Sequence, residues 1–111
     1  MALKDIQKEV DDWVTQYKIG YWKPHEIMVR LMEETGELAR EVNHRYGPKP
    51  KKASELTGEL DEEMADIIFT LGCLANSLNI DLDAAFRKAM DKCYGRDATR
   101  WEKKSGRAHP P

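Results

Sequence analysis

Apolar residues recur at three- and four-residue steps along most of the chain, and no segment alternates long enough to make a convincing strand. Ile6, Val10, Trp13, Val14 and Tyr17 predict a first helix from about Leu3 to Lys18, ended by Gly20, with Trp13 facing the core. A short connection through Tyr21, Trp22 and Lys23 leads to a second helix. It starts near Pro24, a residue suited to a first helical turn, and continues to about Arg45. Gly47, Pro48 and Pro50 cannot continue it, so a mobile loop is expected there. A third helix should begin near Ser54 or Thr57 and reach Leu78, weakened early by Gly58. Asp81 can cap a fourth, Leu82 to about Tyr94, with Ala85, Phe86 and Ala89 facing inward and Gly95 closing it. The expected architecture is all-α: an antiparallel, four-helix-bundle-like single domain over residues 1–102, with a flexible tail at 103–111.

Composition narrows the partners. A chain of 111 residues makes one domain, small enough that burial between subunits would help its core. The net charge is −2 with no basic block, which argues against binding nucleic-acid polymers, since that rests on clustered Lys and Arg. The longest apolar stretch, Ile67 to Ala75, is far too short to span a membrane. The first residues, Met1 to Asp12, are charged and amphipathic and lack the apolar region of a secretory signal. Cys73 and Cys93 fit a reducing compartment and have no His-rich neighbourhood for zinc, so a cytoplasmic location is expected.

The candidate chemistry lies in two acidic clusters. At about 100° per residue, Glu34, Glu37 and Glu41 share one helical stripe, and Glu59, Glu63 and Asp66 share another. Each stripe borders an apolar face: Ile27, Leu31, Leu38 and Val42 on the first helix; Leu60, Met64, Ile67, Leu71, Leu74 and Leu78 on the second. Packing those faces together brings the acids toward one another. Like charges crowded at the rim of a core call for a neutralising cation or for bound protons. A solvated acidic flank is the bland reading of either cluster alone; two clusters of matching spacing favour a site.

The pair Glu34-x-x-Glu37 and Glu63-x-x-Asp66, set in Leu31–Val42 and Glu62–Ile68, resembles the E-x-x-E … E-x-x-D signature of the MazG-like nucleoside triphosphate pyrophosphohydrolases. The likeness runs from about Ile6 to Trp101 and is nearest to the family's short, single-domain bacterial members. It implies an oligomeric fold, a homodimer or homotetramer, and cleavage of nucleoside triphosphates to monophosphate and pyrophosphate. It also implies Mg²⁺, with Mn²⁺ as a substitute, held by Glu34, Glu37, Glu63 and Asp66. Lys92 and Arg96, one helical turn apart, match the family's phosphate-contacting segment. Tyr94 stands where several relatives carry Asn, and Trp22 precedes the first metal helix where part of the nucleotide pocket is built. Gly36, between two ligands, can admit a neighbouring helix or a phosphate, and Gly72 can permit close helix packing.

Three rivals stand beside this reading. A ferritin-like di-iron centre fails on ligand count: Glu41-x-x-His44 supplies one E-x-x-H unit, and neither His25 nor His109 supplies another. A phosphoribosyl-ATP pyrophosphohydrolase-like enzyme would use the same acids, and a non-catalytic helical metal- or nucleotide-binding module would use them without turnover.

Overall fold

A computed structural model describes residues 1–48, 60–96 and 99–104. It contains α1 (Leu3–Val14), α2 (Pro24–Tyr46), α3 (Leu60–Ser77) and α4 (Leu82–Gly95), with no strand among the described residues. The expected early turns of the third helix, most of the loop before it, and the tail beyond Lys104 lie outside the described residues.

The helix starts are set by carboxylates. The Ala2 amide donates to Asp5 at 3.0 Å, and the Leu3 and Lys4 amides donate to Asp83 at 3.1 and 3.2 Å, so the donors that open α1 are satisfied partly by α4. At α2, Pro24 takes the first position and the Lys23 amide donates to Glu26 at 3.1 Å. Asp81 caps α4 by accepting from the amides of Asp83 and Ala84.

Contrary to the expected end near Lys18, α1 stops at Val14. The Thr15 hydroxyl donates to the Asp11 carbonyl at 2.7 Å, and tighter i to i−3 bonds follow: Gln16 to Trp13, Tyr17 to Val14 and Gly20 to Tyr17. Gly20, at φ +61°, then reverses the chain in a conformation that side chains disfavour.

The helices α2 and α3 run antiparallel, as do α1 and α3. Glu37 meets Glu63 while Ile27 shares a cavity with Cys73; Val10 meets Gly72 while Gln7 meets Asn76. Gly72 is where α1 comes nearest: a Cβ there would stand 3.2 Å from Val10 Cγ2, which gives this glycine its packing reason. Around that contact sits a thin core of Val10, Val14, Ile27 and Ala75.

A polar network ties the pieces together. Gln7 donates to Asn76 and to the Ile80 carbonyl and accepts from the Leu82 amide. Asn76 donates to the Gln7 carbonyl and to the Tyr21 hydroxyl, which donates to Asp11 at 2.6 Å. Burial, then the Asp11 hydrogen bond, pushes the Tyr21 hydroxyl up to about 12.

Two expectations about burial are corrected. Trp13 is half-exposed, with its ring edge-on to Phe69 and Tyr17. On α4, Ala85, Phe86 and Ala89 are all exposed, and no α4 residue is buried. The cause is direction: α4 leaves α3 at 110° and packs mainly on α1, so among the described residues its apolar side is left largely uncovered. No single described helix is long and apolar enough to cross a membrane.

Candidate metal centre

The α2–α3 pairing places the two acid stripes face to face. Glu34, Glu37 and Glu63 each offer a carboxylate oxygen, and those atoms lie within 4.8 Å of one another. Glu34 is only 3% exposed. Its Oε1 forms an ion pair with Arg30 Nη2 at 2.7 Å, whereas Oε2 is buried with no hydrogen-bond partner, as is Oε2 of Glu63. Buried carboxylate oxygens without donors are costly, and the cost is removed by a cation or a proton.

The electrostatics agree with that geometry. Burial raises the Glu34 carboxyl above the ordinary range, Arg30 partly opposes it, and Glu37 and Asp66 reinforce it. Glu63 is raised by its own desolvation, then by the charges of Glu37, Asp66 and Glu34. An all-oxygen donor set of this kind suits a hard divalent cation such as Mg²⁺ or Mn²⁺.

Asp66, the fourth expected ligand, is exposed and falls outside the tight trio. It is near enough to perturb both acids, and with Glu34 it borders a cavity of about 610 Å³. Trp22 lines that cavity from the α1–α2 connection, joined by Trp13, Tyr17 and Phe69. The expected nucleotide-contacting Trp22 is therefore brought to the acids. Lys92, Tyr94 and Arg96 do not line the cavity: the first two sit on α4 and Arg96 directly follows that helix. Glu41, the next acid of the α2 stripe, is 3% exposed and has Arg45 Nε at 3.8 Å. Gly36 is exposed and a Cβ there would meet nothing, so packing within the chain does not require it.

Three contributors were not read from sequence. Arg30 lies four residues before Glu34 on the same stripe, a spacing that could have flagged it. Phe69 and Thr70 were hidden within the apolar run of α3, although their position beyond Asp66 puts them one turn along the cavity wall.

Comparison with known proteins identifies the family. Residues 23–101 match the model of the MazG nucleotide pyrophosphohydrolase domain. The chain is 55% identical over 103 residues to YpjD of Bacillus subtilis, covering 93% of each, and 33% identical over 101 residues to YvdC of the same organism, covering 83% of this chain and 92% of YvdC. The crystal structure of YpjD superimposes with a TM-score of 0.76 over 83% of this chain and 94% of that one. A Bacillus-conserved MazG protein, described as a nucleotide pyrophosphohydrolase, is 47% identical with a TM-score of 0.73, covering 87% of this chain and 94% of its own. An acid trio built across two antiparallel helices, on a scaffold this close to those proteins, assigns the chain to the MazG nucleotide pyrophosphohydrolase family.

Proposed function

We propose that this protein is a metal-dependent nucleotide pyrophosphohydrolase that converts ribo- or deoxyribonucleoside triphosphates to monophosphate and pyrophosphate in the cytoplasm. The observation that carries the reading is the pair of buried, unpartnered carboxylate oxygens on Glu34 and Glu63 beside an aromatic cavity. Glu34, Glu37, Glu63 and Asp66 would hold Mg²⁺, or Mn²⁺ in its place. When bound, the ion polarises the phosphoryl group and offsets the charge that develops on the leaving pyrophosphate.

The chain's own groups do the rest. The aromatic rings of Trp22, Trp13 and Phe69 give the nucleobase a surface to stack on, which holds the α-phosphorus beside the acids. A carboxylate of the cluster takes the proton of the attacking water as its oxygen bonds to the α-phosphorus and the bond from that phosphorus to the bridging oxygen breaks. Lys92 and Arg96 serve as phosphate contacts, and Tyr94 as a nucleotide contact. That they do not line the cavity within one chain fits a homodimer or homotetramer in which α4 packs beside another copy. The domain spans 1–102, followed by a flexible tail.

The test is product analysis with a panel of ribo- and deoxyribonucleoside triphosphates, with and without Mg²⁺. Metal-dependent monophosphate plus pyrophosphate is expected. Diphosphate plus phosphate, or no turnover by any member, would overturn the proposal, and turnover of phosphoribosyl-ATP alone would redirect it.

A further inference from the structure

We infer that Arg30 neutralises Glu34 when no metal is bound and becomes a catalytic residue when metal binds, moving from Glu34 to the triphosphate. This deepens the function proposed above and rests on it for the identity of the anion.

Arg30 is the one cationic side chain that borders both the aromatic cavity and the acid cluster among the described residues. Its guanidinium forks between Glu34 at 2.7 Å and Glu33 at 3.5 Å. The partners differ sharply: Glu34 is buried, while Arg30 and Glu33 are each more than half exposed. An arginine four residues before a glutamate is also the less favourable order for a helical ion pair. The pair is therefore maintained by the need of a buried carboxylate for a positive partner, and not by helix electrostatics.

A divalent ion bound at Glu34, Glu37 and Glu63 meets that need more fully. It removes the reason for Arg30 to remain on Glu34. The side chain, half-exposed and bordering the cavity, is then free to turn its planar fork to phosphate oxygens, the anion geometry it matches best. No proton or electron changes hands; one ion pair is exchanged for another.

The test is titration of two variants against Mn²⁺ alone, read by calorimetry, and against tripolyphosphate in the presence of Mn²⁺. Arg30→Gln removes the competitor, so Mn²⁺ should bind more tightly, by about fivefold or more, while tripolyphosphate binds more weakly by a similar factor. Arg30→Lys keeps the charge without the fork; Mn²⁺ affinity should stay near that of the unmodified protein and tripolyphosphate affinity should fall. A merely structural arginine gives the opposite sign: Arg30→Gln would leave Glu34 unsupported and weaken Mn²⁺ binding. Weakened or unchanged Mn²⁺ affinity overturns the exchange, and unchanged tripolyphosphate affinity overturns the phosphate role. Because the Mn²⁺ titration contains no nucleotide, its outcome stands even if the panel shows no pyrophosphohydrolase activity.

Discussion

Glu63 shows most plainly how one residue trades stability for a site. Its carboxyl and that of Glu34 bind their protons more tightly in the folded chain than in the unfolded one. Their contribution to metal-free stability is therefore fully present below the ordinary carboxylate range and is lost as pH rises through their elevated values. Thermal melts of the metal-free protein should show that decline. Glu63→Gln should flatten it, raise the melting temperature at neutral pH, and weaken Mn²⁺ binding by at least about tenfold. A lower melting temperature in that variant would mean that the acid is structural. The sequence disclosed Glu34, Glu37 and Glu63 because helical spacing alone aligns them. It did not disclose that Asp66 stands apart from the trio, since that depends on where α3 rolls against α2.

At the scale of the helices, two glycines that look alike in sequence have different reasons. Gly36→Ala places a methyl in open space and should stabilise the fold by up to about 1 kcal/mol, the usual helical advantage of alanine. Gly72→Val drives a branched side chain into Val10, 3.2 Å from the first added carbon, and should destabilise by about 1–3 kcal/mol. Denaturant melts of the two variants check the pair, and shifts of the same sign would remove the distinction. The four helices and the start of α2 were legible because apolar period and Pro24 act locally. The end of α1 was not. The bond from the Thr15 hydroxyl to Asp11 and the turns after it interrupt a periodicity that continues through Tyr17.

For the molecule as a whole, the thin core and the course of α4 carry the same message. The radius of gyration is 18.1 Å, against roughly 13 Å for a compact chain of this length. Met32, Met64, Ile68 and Phe86 are each about half-exposed or more. The expectation that α4 buries Phe86 failed because apolar period reports which side of a helix wants covering and not which chain covers it. Sedimentation should find a dimer or tetramer, and Ile68→Asp should shift it toward a single chain; a monomer at all concentrations would mean that these side chains serve another partner. The connection between α1 and α2 has a different significance. It contributes Trp22 and Ile19 to the cavity and is moored to α3 through the Tyr21 hydroxyl, whereas every acid of the cluster sits on α2 or α3. Part of the proposed nucleobase surface, Trp22, thus lies on a stretch of polypeptide that carries none of the acids, while Phe69 shares α3 with Glu63 and Asp66. Descendants of such a scaffold can alter the α1–α2 side of the cavity while inheriting the acids unaltered.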